Sequence, residues 1–449
     1  MNSINDADNV LKTEQLYQGQ HAKRPHSIMS LTITSLMLAV AVNAFATDGY
    51  FSNGYGIKSK GRAGVSVTAT DDAFGGANNP ATVVWTDDRI DGGVDWFRPT
   101  RESARSGAAG PASALNGQVS SDQDNFIIPE LALKYAINPA LSVGVSVYGN
   151  GGMNTDYSDH TLNFGPGGYK NLLAGSGRLG VDFSQLFVAP TVAYKITPTQ
   201  SVGLAPIIGY QWFKASGLSA FAPLSQDATA LTDRDYDHAF GIGVRLGYLW
   251  NITPGFSVGA AYSSPVFMQR FDKYKGLFAK DGSFDTPQSF SAGLGWQVSP
   301  AVHAGLDYKW IDYAGIAAVG NSSSNPGQLG QAAGPGFGWR SISVIKLGTD
   351  WKVNDEFTLR GGYSYNENPI PSRDVTFNIL APGVIQHHLT AGATYAFGRQ
   401  ELSAAYMYGV HNSVSGESRF VALGQAPPGT SETISMHQNS FGLQYSYKF

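Results

Sequence analysis

The last ten residues, Ser440 to Phe449, put Phe441, Leu443, Tyr445, Tyr447 and Phe449 on one face of a strand and Ser440, Gly442, Gln444, Ser446 and Lys448 on the other. A strand that crosses a membrane has this period. Lipid demands apolar side chains at every second residue, a polar interior takes those between, and aromatics collect at the interfaces. A half-buried strand of a soluble sandwich also alternates, but it has no need of three aromatics and a terminal Phe on its outer face.

At the other end, Lys23, Arg24 and His26 precede the apolar run Ile28 to Val42, and Ala44-Phe45-Ala46 offers small residues for cleavage. This is the layout of a secretory signal peptide. A spanning helix would need about 20 apolar residues, and Ser30, Thr32, Thr34 and Ser35 interrupt this run. Residues 1–46 therefore read as leader and signal, with the mature chain starting at Thr47. No function attaches to the polar stretch Met1 to Gln20.

An exported chain without a second long apolar segment is either a soluble extracytoplasmic protein or an outer-membrane barrel. Charged residues make up 14% of this chain, against about 25% in soluble domains, while Gly 54, Tyr 22, Phe 24 and Trp 8 are high counts. The barrel fits better. A net charge of −4 without a basic stripe excludes nucleic acid as a partner. The absence of cysteine removes disulfides, thiol catalysis and thiolate metal sites.

Fourteen strand-like segments follow, from Arg89–Phe97, Asn125–Ile137 and Ala140–Gly149 to Glu401–Val410 and His437–Phe449; the seventh is expected over Phe256–Phe271. An even number suits a single-chain bacterial barrel. Tight links such as Asn138-Pro139, Ser299-Pro300, Asn354-Asp355 and Gly398-Arg399-Gln400 alternate with long polar loops, among them Asn150–Phe183, Lys214–His238, Ala314–Arg340 and His411–Met436. Short periplasmic turns and long external loops are the expected asymmetry. The fold class is thus all-β, a 14-stranded antiparallel transmembrane barrel over residues 89–449. Arg245, Lys309 and Arg360 fall on lumen-facing positions.

Residues 47–88 lack the barrel period. They are rich in Gly and Asn, yet Tyr50, Phe51, Tyr55, Val65, Val67, Phe74, Val83, Val84 and Trp85 are too apolar for a solvated tail. Packing inside the lumen as a plug is the better reading.

Asn53-Gly54 through Gly61-Arg62-Ala63-Gly64, Asp71-Asp72-Ala73 and Asn79-Pro80-Ala81, in that order, resemble the hatch of the FadL-type transporters, which carry long-chain fatty acids and other hydrophobic compounds across Gram-negative outer membranes. A second match, Tyr148-Gly149 followed by Thr155-Asp156-Tyr157 and Asp159, is similar to that family's exit from its third strand. The resemblance implies a passive transporter and no enzyme. Substrate would be caught on external loops and pass to a luminal site beside the hatch tip, where Tyr50 and Phe51 match the family's aromatic. It would leave sideways through a break in the third strand at Tyr148, Gly149, Asn150, Gly151 and Gly152. A closed wall offers no lateral exit, because every backbone group in it is paired. By sequence alone these glycines could equally be no more than the start of an external loop; if they form the gap, replacing Gly151 and Gly152 with a β-branched residue is expected to straighten the strand and close it. The implied surroundings are outer-membrane lipid and lipopolysaccharide, with insertion by the barrel assembly machinery and a monomeric chain.

A fatty acid needs a cation for its carboxylate. Arg245, Lys309 and Arg360 are the candidates, although each could instead pair with a wall carboxylate such as Asp307. A neutral aromatic hydrocarbon would need none, so the substrate stays open between the two. A general aqueous porin and an outer-membrane enzyme such as a lipase are further alternatives. The plug speaks against the first and the lack of a GxSxG or a Ser/His constellation against the second.

Other motifs carry little. Gly175-Ser176-Gly177-Arg178-Leu179-Gly180 fits GxGxxG by letter but lacks the strand and helix of a dinucleotide fold. Asp233, Asp235 and Asp237 imitate a calcium loop in which His238 and Val244 replace the needed Gly and Glu. His387-His388 have no further ligand at a metal spacing. No cofactor or metal is expected.

Because the final strand supplies both the lipid-facing period and a terminal aromatic, deletion of Tyr447 to Phe449 is expected to abolish insertion. Outer-membrane fractionation with heat-modifiable gel mobility measures this, and levels like those of the intact chain would overturn the reading.

Overall fold

A computed structural model describes residues 47–449; the leader and the expected cleavage after Ala46 lie outside the described residues. Fourteen long strands close into one antiparallel barrel. In chain order they are β1 (Arg89–Ser106), β2 (Phe126–Asn138), β3 (Leu141–Tyr157), β4 (Leu179–Thr197), β5 (Gln200–Ser216), β6 (Asp237–Thr253) and β7 (Phe256–Ser263). The second half comprises β8 (Ser289–Ser299), β9 (Val302–Ile311), β10 (Ile342–Lys352), β11 (Phe357–Asn366), β12 (His387–Phe397), β13 (Gln400–Glu417) and β14 (Ser431–Lys448). Each pairs with its sequence neighbour, and β14 closes on β1 from Arg89 opposite Lys448 to Ser106 opposite Ser431.

The period of the terminal segment is realised as expected. Phe441, Leu443, Tyr445, Tyr447 and Phe449 are exposed on the outer wall, while Ser440, Gln444 and Ser446 are buried inside. The tight turns are built by side chains. Asn138 Oδ1 accepts the N–H groups of Ala140 and Leu141 at 2.9 and 3.0 Å, and Asn354 Oδ1 accepts those of Glu356 and Phe357 at 3.0 and 2.7 Å. Such Asx turns offer the backbone its partners locally.

Strand ends differ from the sequence reading on the loop side. β3 continues to Tyr157 instead of stopping at Gly149, β13 reaches Glu417, and β14 starts at Ser431. Above the membrane both faces of a strand meet water, so His411, Ser413, Ser415 and Glu417 can point outward and the apolar period vanishes while the ladder persists. β7 is shorter than expected. It ends at Ser263, and Phe267–Met268 pairs back onto β6; Pro265 between them has no N–H for the ladder.

Residues 47–88 fill the lumen. They contain one short helix, α1 (Ile57–Gly61), and two 3-10 turns, Phe74–Gly76 and Pro80–Trp85. Charge holds this plug to the wall. Lys58 pairs with Glu401 of β13 at 2.5 Å, Lys60 with Asp95 of β1 at 3.0 Å and Glu130 of β2 at 3.4 Å, and Arg62 with Asp350 of β10 at 3.1 Å. All three cations are buried, so losing one partner would leave an uncompensated charge.

Wall glycines let the plug backbone approach. A Cβ on Gly203 or Gly247 would overlap Pro80 or Asn79, and one on Gly362 would overlap Arg62. Gly247→Val should therefore push the Asn79-Pro80-Ala81 turn off the wall at a cost of about 1–3 kcal/mol. The expected result is a lower temperature for loss of heat-modifiable mobility together with higher steady conductance in planar bilayers. Unchanged values for both would show that the turn does not rest on this strand.

Candidate functional site

The N-terminal tip of the plug is an aromatic knot. Tyr50 is fully buried, with Tyr313 at 5.1 Å, Phe51 at 5.2 Å, Phe183 and Trp339 at 6.0 Å and Phe284 at 6.2 Å between ring centroids. Its partners come from β4 and from the loops after β7, β9 and the segment leading into β10. Among the described residues, its hydroxyl has no hydrogen-bond partner.

Beneath the knot lies a cavity lined by, among others, Phe51, Ser52, Asn53, Arg245, Asp307, Lys309 and Lys346. The three cationic candidates part company here. Arg245 donates to Ser263 Oγ at 2.7 Å, Gly76 O at 2.8 Å and Tyr148 Oη at 3.2 Å. Lys309 lies 5.1 Å from the centre of the Phe51 ring, and among the described residues no carboxylate is within ion-pair distance of it. Arg360 does not reach the cavity; it pairs with Asp350 at 2.6 Å and with plug residue Asp71 at 3.4 Å.

Pairing of these cations with Asp307 does not occur. Asp307 Oδ2 accepts the N–H groups of Ser66 and Val67 at 2.6 and 3.0 Å, because the plug brings two orphan donors closer than any cation. Lys346, absent from the sequence candidates, contacts Asp48 at 2.8 Å and also donates to Asn53 O. Its only sequence signal was its place on the inner face of β10.

Above the knot the external loops and the end of β5 form a second cavity, lined among others by Leu173, Phe213, Phe221, Leu277, Phe337 and Leu380. Loops that read as polar thus carry an apolar lining. Leu172-Leu173, Phe221 and Phe337 were the available signal, hidden because loops have no period to place them.

The wall is interrupted where the third strand was expected to break. β2 pairs with β1 as far as Phe126 but with β3 only from Asn138 to Leu131, opposite Leu141 to Val147. Beyond Val147, β3 keeps its ladder with β4 through a register shift between Gly149 and Gly151. The freed edge is taken by the tip. Ser52 donates its N–H to Asn150 O at 3.1 Å and Gly152 donates to Tyr50 O at 3.0 Å, while Tyr55 Oη bonds Asn150 Oδ1 at 2.8 Å. The pairing resumes higher up, where Asp122 donates to Asp156 O at 2.8 Å. A Cβ on Gly151 would overlap Tyr50 O. A β-branched residue there acts on the tip before it can straighten the strand, which corrects the expectation from sequence.

The remaining hatch residues serve docking. Asn79 caps the turn Pro80–Trp85 by accepting from Ala81 N–H at 3.1 Å, and donates to Val67 O at 2.7 Å and Tyr248 O at 3.0 Å. Asp71 accepts two bonds from Arg62, at 2.9 and 2.7 Å. Burial works against its charge, but Arg62 outweighs it and holds the carboxyl well below its ordinary range. Among the described residues the Asp72 carboxylate accepts only the Phe74 N–H, at 2.9 Å; burial, then Asp71 and Asp91, push its carboxyl up to about 7.

A closed, lipid-facing barrel whose lumen holds a charged plug, with apolar space on the external side, defines a transport protein of the bacterial outer membrane. A profile of the family described as "Outer membrane protein transport protein (OMPP1/FadL/TodX)" matches residues 37–449, and the chain belongs to that family. It is 26% identical over 427 residues to a long-chain fatty acid transport protein of Escherichia coli O6:H1, covering 84% of this chain and 91% of that one. The Salmonella typhi protein of the same name is 23% identical over 459 residues, covering 88% and 96%. Among solved structures, a Pseudomonas aeruginosa FadL homologue shares the fold with a TM-score of 0.65 at 16% identity, covering 89% of this chain and all of that one. The Pseudomonas putida toluene transporter TodX gives 0.64 at 16% identity, covering 88% and 99%.

Asp72 titrates near 3.8 when unfolded and near 7 in place. Between these values the folded protein keeps a proton that the unfolded chain has lost, so this group's contribution to stability falls as pH rises through the window. Asp72→Asn should flatten the decline between about pH 4 and 7. The measurement is the temperature of heat-modifiable mobility across that range, and parallel curves for the two proteins would contradict the assignment.

Proposed function

We propose that the protein carries long-chain fatty acids inward across the outer membrane, with lateral release between β2 and β3. The observation that carries this reading is Lys309, a cation lining the luminal cavity with no carboxylate within ion-pair distance among the described residues. A buried carboxylate has to be paired, and a neutral hydrocarbon has no use for such a group. The names of the Escherichia coli and Salmonella typhi relatives point the same way. That of the Pseudomonas putida structure points to toluene, for which the apolar external cavity alone would suffice.

The route follows from where apolar surface is available. The tail enters the external cavity, each methylene withdrawn from water contributing about 0.8 kcal/mol. It then passes the Tyr50 knot, and the head reaches Lys309. Release into the periplasm would return the tail to water. Release through the wall does not, and the stretch of β2 from Phe126 to Glu130, paired with β1 but not with β3, is where such a release would break no strand-to-strand ladder. Displacement of the tip from Gly149–Gly152 would open that stretch, while the ion-paired remainder of the plug stays docked.

Replacing Lys309 with Met keeps the side chain's length and removes its charge. Binding of hexadecanoate should weaken about tenfold or more, the scale of a charged hydrogen bond worth about 1.5–3 kcal/mol. Binding of hexadecanol should be unchanged. Displacement of a fluorescent fatty-acid probe from purified protein measures both, and equal losses for acid and alcohol would remove Lys309 as the head-group site.

A further inference from the structure

Both lysines that line the luminal cavity are engaged by the plug tip. Lys346 holds the Asp48 carboxylate at 2.8 Å and also donates to Asn53 O, and Lys309 lies over the ring of Phe51. Asp48 is fully buried, and among the described residues its Oδ1 has no hydrogen-bond partner. Its attachment therefore rests on one ion pair, supported by the hydroxyl of Tyr313 on its carbonyl. The same short segment, residues 48–53, is stitched by backbone bonds to Asn150 and Gly152 across the interrupted wall. Lower down, the plug is held differently: Lys58, Lys60 and Arg62 are paired with four wall carboxylates on β1, β2, β10 and β13.

We infer that Asp48 and Lys346 form a latch that an incoming carboxylate undoes by exchange: the substrate head takes Asp48's place at Lys346 while contacting Lys309, and the freed tip leaves Gly149–Gly152. Exchange of one carboxylate for another keeps Lys346 compensated and brings a negative charge to Lys309 as well, whereas simple rupture of the buried pair would leave Lys346 without a counter-charge. Asp48 then moves with the tip toward water. A neutral ligand of the same shape has nothing to exchange, so it occupies the cavity and leaves the wall shut. Asp48 is thus a specificity-determining residue: it couples the chemistry of the head group to the opening of the exit. The inference rests on the fatty-acid reading above and extends it.

Hydrogen exchange of the tip amides, read by mass spectrometry on purified protein, tests the latch. Saturating hexadecanoate should speed exchange in residues 48–53 and at Gly152 by about tenfold or more, the scale of losing one charged hydrogen bond. Hexadecanol at matched occupancy should not. Asp48→Asn should exchange fast without ligand and gain nothing further from hexadecanoate, while Asp48→Glu should restore the dependence. Lys346→Met gives the same loosening from the wall side, should Asp48→Asn fail to fold. Bound hexadecanoate with unchanged or slower tip exchange overturns the latch and leaves the fatty-acid reading standing. Failure of hexadecanoate to bind the intact protein overturns both.

Discussion

Hydrocarbon offers no partner for a free N–H or C=O, and this one fact dictates most of the molecule. It forces β14 onto β1 along their whole length and makes every departure from full pairing conspicuous. One such departure lies beside the plug tip, between β2 and β3. There the plug tip supplies the missing partners from inside. Were the tip withdrawn, the backbone groups of Asn150 and Gly152 that it now satisfies would lose their partners.

The plug shows the same logic with charges. Burying Lys58, Lys60 and Arg62 is tolerable only because carboxylates wait on the wall, and each of those carboxylates needs its cation in turn. Moving the whole plug would break several buried pairs at once. Moving the tip disturbs one. The body of the plug is thus held by several buried ion pairs and its tip by one, a difference that comes from where ions were placed and not from a hinge.

Much of this was legible in the sequence. Period-2 alternation located fourteen strands because lipid enforces it, and the apolar residues of 47–88 betrayed a packed plug. Strand ends above the membrane were not legible, since the solvent on both faces of β13 and β14 erases the period. Arg360 could not be separated from Lys309 by pattern, because both face inward and only the plug's position decides that Arg360 meets Asp71. Lys346 was invisible for the same reason. The lining of the external cavity was scattered over several loops, whose apolar residues converge only in three dimensions.

The glycines that line the wall opposite the plug have a consequence for assembly. With Gly203, Gly247 and Gly362 pressed against plug backbone on three different strands, the two parts fit as a casting fits its mould. An object of that shape would be hard to thread into a finished cylinder. So close a fit favours seating the plug while the sheet is still open, before the seam between the first and last strands closes. Docking of the plug would then be a step in making the barrel, so an ill-fitting plug is expected to lower the yield of assembled barrel as well as to make the barrels that do form leak.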